Sequence, residues 1–368
     1  VAVGTVHQPA RLDDHGYRAT FEIERVLAGD PGGEPSVAIG WEEFDVARGS
    51  RFGDGERLLL ALDPVPGQTL WLRRFPHRRG FVIGARYGAY LRDPDPATTN
   101  LLGAYLRLDP PSRKNPPGVG DLALLVAGGH PVVAEAAVMR LRVVPGLAGR
   151  VTGATRQALA HALADPERPP EVREALLGLA GERRLQALRP AIVPLAAPGQ
   201  PLEAPALQSL ALLDGGMTEA EAAELLGREE AAVRLVAVVY GSDAIQDARL
   251  ATLLRRDASA EVRAAAVANL LRRRGLDALE DATPALFDPE GGVRGEAALQ
   301  IAALGPEVVP VLRALIAGRP AEDLTGVLTA LRWSGAEGVA VVQEVADSHP
   351  DPRVRKLALL TLGRAPRH

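Results

Sequence analysis

A Val-Arg pair recurs along the last two-thirds of this chain at nearly even spacing, and that recurrence limits the folds available to it. The pairs are Val172-Arg173, Val233-Arg234, Val262-Arg263, Val293-Arg294 and Val354-Arg355, with 61, 29, 31 and 61 residues between successive valines. A period near 30 predicts equivalents midway through the two long gaps, where Leu202 and Leu324 stand, and Val133 begins the series. Self-similarity at such a period is the signature of stacked repeats, each too small to bury its own apolar stripe.

The register holds at other offsets. Four residues after the anchors stand Ala137, Leu176, Ala206, Ala237, Ala266, Ala297, Leu328 and Ala358. Offsets 0, 4, 5 and 8 are mostly apolar, which marks one face of an α-helix. The small residue at offset 4 lets neighbouring helices approach closely. A second helix precedes each anchor helix, as at Ala244–Arg256 and Pro306–Ala317. Residues 118–368 are therefore expected to form an α-solenoid of about eight helix pairs, an extended curved rod.

The segments "DASAEVRAAAVANL" and "HPDPRVRKLALLTLG" resemble the second helix of a HEAT repeat. The resemblance implies a ladder along the stack, in which an Asp of the inter-helix turn pairs with an Arg six residues on. Asp257 with Arg263 and Asp288 with Arg294 match that spacing, and Glu167 with Arg173 is a variant of it. At Arg234 and Arg355 the acid is replaced by Arg228 and His349. Tetratricopeptide repeats fit less well, because their period is 34 and their Trp/Gly/Tyr signature is absent.

The first part has a different character. Eleven of the 14 aromatic residues lie before residue 106, and aromatics suit half-buried pleated surfaces. Tyr17–Glu24 alternates apolar and polar positions with period 2. Val1–Val6, Ser36–Trp41, Arg57–Leu62, Thr69–Arg73 and Phe81–Ile83 read as further short strands, so a small barrel or sandwich is expected over residues 1–96. "VAVGTV", "FEIERVLAGD" and "FGDGERLLLAL" together resemble an OB-fold barrel of the netrin-like kind. Netrin-like modules carry disulfides; this chain has no cysteine, so protease inhibition does not transfer. "DPDP" (Asp93–Pro96) closes the domain, and residues 97–117 read as a connecting helix (Ala97–Leu108) and a Pro-rich linker, "DPPSRKNPPG".

Charge excludes some functions. The formal net charge is −4, spread evenly between the two parts, which leaves no footprint for nucleic acid. Only Lys114 and Lys356 are lysines; with the abundant Ala, Gly and Pro this fits a GC-rich, bacterial genome. No apolar run approaches the length of a membrane span. The chain begins inside a strand-like pattern at Val1, as cleavage of a signal peptide would leave it, and the compartment stays open between cytoplasmic and extracytoplasmic.

Several motifs are set aside. Met217–Arg234 imitates a DNA-binding helix-turn-helix, but its second helix continues through Leu235, Val236, Val238, Val239 and Tyr240, too apolar to lie in a major groove. HEAT-like folds include an iron-dependent hydroxylase that needs His-Glu pairs, and no His here is followed by Glu. Metal sites need converging ligands, and the seven histidines are scattered singly; His130 and His349 stand where turn or cap roles are expected. No phosphate loop or nucleophile elbow is present. These observations predict no cofactor and no catalysis. The basic cluster Arg73, Arg74, His77, Arg78 and Arg79 could hold a phosphate or an acidic partner, although a solvated hairpin tip paired with Glu42, Glu43 and Asp45 is preferred.

The sequence therefore suggests a non-catalytic scaffold or adaptor that binds a protein or peptide. The expected binding row is offset 7 of the second helices: Arg140, Ser209, Tyr240, Asn269, Gln300 and Thr361, with Leu179 and Leu331 completing it. The alternative is a HEAT-like lyase or chaperone that cradles a small cofactor or ligand in its groove.

Overall fold

The computed structural model describes residues 1–43, 50–64, 81–83, 90–241 and 243–363. These residues divide into two compact units, Val1–Leu213 and Asp214–His368.

The first unit opens with a sheet of seven strands among the described residues: β1 Ala2–Arg11, β2 Gly16–Val26, β3 Ser36–Glu42, β4 Arg57–Leu60, β5 Leu62–Pro64, β6 Phe81–Ile83 and β7 Tyr90–Arg92. The expected strand Thr69–Arg73 lies outside the described residues. The order is β5-β6-β3-β2-β1-β4-β7. β4 and β5 form one run interrupted at Ala61. Its first half pairs with β1 and its second half with β6, so the sheet curls toward itself as a half-barrel. β1 has register shifts at Val3/Gly4 and His7/Ala10, and such bulges bend a strand.

Each face of the sheet has its own core. The alternation of β2 places Tyr17, Ala19 and Phe21 on one face in a shared core with Val6, Ile39, Trp41, Phe52, Leu58 and Leu60. There Tyr17 stacks on Trp41 at 5.8 Å, and Phe52 meets the Trp41 ring edge-on at 5.0 Å. On the opposite face Val3, Leu27, Leu59 and Leu91 pack against Leu102, Leu106 and Val133.

The helix bearing Leu102 and Leu106 spans Pro96–Arg107 and starts at an Asp95 cap that accepts from the Thr98 amide. "DPDP" thus ends the sheet and starts a helix in one move. Three helix pairs complete this unit. Pro116–Gly128 pairs with Pro131–Arg142, Gly153–Ala164 with Pro170–Glu182, and the mixed α/3₁₀ segment 186–196 with Glu203–Asp214.

The second unit contains five more pairs. Glu219–Leu225 pairs with Ala231–Tyr240, Asp247–Arg256 with Ala260–Arg274, the mixed segment 275–287 with Gly291–Ala302, segment 306–314 with Thr325–Trp333, and Ala336–Ser348 with Pro352–Thr361. The helical part is a HEAT-like solenoid fold, and among the described residues no strand follows β7. Seven anchors are at most 2% exposed: Val172, Leu202, Val233, Val262, Val293, Leu324 and Val354. Val133 is half-buried, because its neighbours are the sheet's outer core and the helix Pro96–Arg107 rather than a full preceding repeat.

The helix-turn-helix imitation is one repeat. Thr218 and Glu221 form a reciprocal capping box at its first helix, and Val233, Val236 and Val238 of its second helix are buried. His130 and His349 serve in turns: their Nδ1 atoms accept from the Val132 and Asp351 amides.

Candidate functional site

Two sets of charged side chains are placed by the repeats. The first is the ladder in the second unit. Arg234 donates through Nε and Nη2 to both carboxylate oxygens of Asp257, each at 2.8 Å. Arg263 holds Asp288 in the same way, again at 2.8 Å twice. The side chains of these pairs are only 12% and 5% exposed, and 12% and 9%. The remaining edge of each guanidinium turns back to its own repeat: Arg263 Nη1 donates to the Asp257 and Ala258 carbonyls, and Arg234 Nη1 to those of Arg228 and Glu229. Arg294 Nη1 does the same with Asp288 and Pro289, and Arg355 Nη1 with His349 and Pro350.

The expected spacing of six is therefore real, but what it joins is Arg to a backbone carbonyl. The carboxylate partner belongs to the following repeat. In the first unit the corresponding arginine bonds carbonyls only among the described residues: Arg173 Nε reaches the Leu163 carbonyl at 2.9 Å.

Burial alone would raise the Asp257 carboxyl. The hydrogen bonds from Arg234 and the Ser259 amide, with the charges of Arg234 and Arg263, overturn that and hold it below the ordinary carboxylate range. Asp288 is lowered against the same burial by Arg263, the Glu290 amide and the charge of Arg294. A carboxyl lowered on folding stabilises the fold above its unfolded value, about 3.9. That stabilisation disappears as pH falls through the lower folded value. The stability lost on Asp257→Asn, measured by urea melts, should thus be constant from pH 7 down to about 5 and shrink below about 4. A loss that persists unchanged at pH 2 would contradict the assignment.

The second set lies in the first unit. Pro110, Pro111, Arg113, Lys114 and Arg140 line a cleft of about 360 Å³. The supposed linker builds one wall: Ser112–Lys114 is a 3₁₀ turn, and Asn115 leads straight into the helix that starts at Pro116. Arg113 closes the end of the helix Pro96–Arg107, donating to the Leu108 carbonyl at 2.9 Å and to the Leu106 carbonyl at 2.7 Å. Its guanidinium lies 5.7 Å from the centre of the Tyr105 ring. Arg140 approaches from the facing helix, with Nε 3.3 Å from the Tyr105 hydroxyl. Arg150 donates to the Lys114 carbonyl. The nearby acid Asp109 accepts from the Ser112 amide, and its carboxyl is held low first by a hydrogen bond from the Ser112 side chain and then by that amide.

Of the expected binding row, Arg140 lines this cleft. Ser209 is fully buried, as are Leu179 and Leu331. Tyr240, Asn269, Gln300 and Thr361 are half-buried. Asn269 Nδ2 donates to the Val238 carbonyl of the neighbouring second helix at 2.9 Å, Gln300 Nε2 to Glu296, and Thr361 Oγ1 to the Leu357 carbonyl. The basic cluster Arg73, Arg74, His77, Arg78 and Arg79 lies outside the described residues. Among those described, Glu43 pairs with Arg51 at 3.1 Å, and no group of three or more metal-ligating side chains converges. No single helix there is long and apolar enough to cross a membrane.

Sequence reasoning missed Arg113, Lys114 and Tyr105. One signal was present, since Lys114 is one of only two lysines in the chain.

No protein-family model and no curated protein matches the chain. Among solved structures it is similar to human deoxyhypusine hydroxylase in complex with glycerol, at 15% identity and a TM-score of 0.32, over 69% of this chain and 97% of that one. That neighbour is an enzyme. The expectations that this architecture marks a non-catalytic scaffold or adaptor, and that the chain is no enzyme, are corrected accordingly and set aside. Nothing of the hydroxylase's chemistry is carried over.

Proposed function

We propose that the protein is a ligand-holding solenoid, of the kind a lyase or a chaperone for a small molecule requires, and that its ligand is a small anion seated in the cleft of the first unit. The observation that carries this reading is the convergence of Arg113, Lys114 and Arg140 on one cleft whose lining contains no acid. The two prolines give it stiff apolar walls, and Tyr105 positions both arginines. An anion there would gain charge-assisted hydrogen bonds, which are roughly twice as strong as neutral ones. The bent run β4–β5 and the bulged β1 support an OB-like reading of the sheet, and the helix pairs support membership of the HEAT class.

The test is calorimetric titration with citrate. Arg140→Gln combined with Lys114→Gln should weaken binding at least about 10- to 100-fold, the loss expected for a single charge-assisted hydrogen bond. Both variants leave Arg113 to close its helix, so the fold is expected to survive. Equal affinity in the variant and the parent chain would remove the cleft as the site.

A further inference from the structure

The ladder of the second unit stops at Arg294. In the two preceding rungs, the Nε–Nη2 edge of the arginine holds the carboxylate that opens the next turn, Asp257 for Arg234 and Asp288 for Arg263. The next turn after Arg294 reads "RPAEDL" against "DPEGGV" in the repeat before, so Arg319 stands where the Asp would be. Arg294 is still fixed by its other edge, which donates to the Asp288 and Pro289 carbonyls at 2.6 and 2.8 Å. Among the described residues nothing accepts from Nε or Nη2. Asp288 is already held by Arg263, and the acids of the following turn, Glu322 and Asp323, do not bond Arg294. Arg319 lies 3.9 Å above the centre of the ring of Phe287, the residue that precedes Asp288, whose carbonyl anchors Arg294. Two guanidiniums are thus tied to consecutive residues, with the carboxylate of the motif replaced by a second cation.

We propose that the open rung at Arg294 and Arg319 is a binding site for an oxyanion, a carboxylate or a phosphate. Two features favour it. The fork is pre-organised by its carbonyl contacts, so little side-chain freedom is lost on binding. Its chemistry is displayed twice in the same unit, where equivalent forks each take two oxygens at 2.8 Å. The placement of a second arginine favours phosphate, which can accept from both guanidiniums at once.

The test uses a chain carrying Arg140→Gln and Lys114→Gln, so that the cleft of the first unit does not report. Melting temperature is followed against added phosphate or acetate, with chloride at matched ionic strength as reference. A saturable rise of roughly 2 to 4 °C is expected with at least one anion. A larger response to phosphate identifies a phosphate site; a larger response to acetate identifies a carboxylate site. Arg319→Asp restores the ladder acid and is expected to abolish the response, because its own carboxylate fills the fork. Arg294→Gln should abolish it too, with the fold checked by circular dichroism. No response to either anion overturns the proposal, and so does a response that survives in Arg294→Gln or Arg319→Asp.

Discussion

Arg263→Ala is expected to destabilise the protein by about 3 kcal/mol or more, the loss that follows when one partner of a buried ion pair is removed. The substitution leaves the Asp288 carboxylate without its bidentate partner in a place only 9% exposed. It also strips the Asp257 and Ala258 carbonyls of a donor. Two controls make the number informative. Arg294→Ala removes carbonyl contacts but no carboxylate pair, and should cost about 1 kcal/mol. Arg273→Ala breaks a more open pair with Asp247, whose side chains are 26% and 38% exposed, and should cost under about 1 kcal/mol. Denaturant melts of the three variants give the ranking. If Arg263→Ala falls level with Arg273→Ala, the ladder is ornamental to stability.

Gly4→Ala is the second large effect, at about 2 to 3 kcal/mol. Gly4 lies at the first bulge of β1, against β2. A methyl group there would overlap the Glu22 carbonyl oxygen and come within 2.9 Å of Phe21 Cζ. The carbonyl is backbone in the middle of the sheet, so relief requires β1 and β2 to part. Phe21 is fully buried beneath and cannot turn aside. Gly53→Ala is the matched control, because its added methyl would meet nothing closer than the Glu56 carboxylate at 3.9 Å. It should stay within about 0.5 kcal/mol. Thermal melts that show equal losses at the two positions would place the β1–β2 contact elsewhere.

The repeats were legible because their signal is local. Anchor, small residue and apolar face recur within one helix, and a 3.6-residue period is visible without knowing what packs on it. The strands of β1 to β3 were legible for the same reason, through alternation in segments such as Tyr17–Glu24. What connects distant residues was not. Arg234 finds its carboxylate 23 residues on and Arg263 finds its own 25 residues on, whereas the spacing of six, which the eye picks out, leads only to a carbonyl. The cleft is harder still to read. Its charges come from a short 3₁₀ turn and from a helix of the first repeat, brought together through Tyr105, 35 residues before Arg140. Segment 109–118 has the composition of a linker, and composition does not say that a turn of it will form a wall. The offset-7 row shows the reverse. Its polar residues were visible, but Asn269 spends a donor on a carbonyl of the neighbouring second helix and Thr361 spends its own on a carbonyl one turn back in the same helix.

The two-sided use of each ladder arginine has a consequence for how such a chain can change in length. Every closed rung joins the arginine of one repeat to the acid that opens the next, while the same arginine is steadied by its own turn. A second copy of residues 257–287 placed before Asp288 would bring a new acid to receive Arg263 and a new arginine to receive Asp288. Excision of the same stretch would present Asp288 to Arg234. In both cases every ladder acid still meets a ladder arginine, so the ladder itself survives duplication or loss of this stretch, whereas excision also removes Asp281 from Arg255 and Arg273 from Asp247. The turn at Arg319 breaks that interchangeability, because a copy of it inserted upstream would set cation against cation.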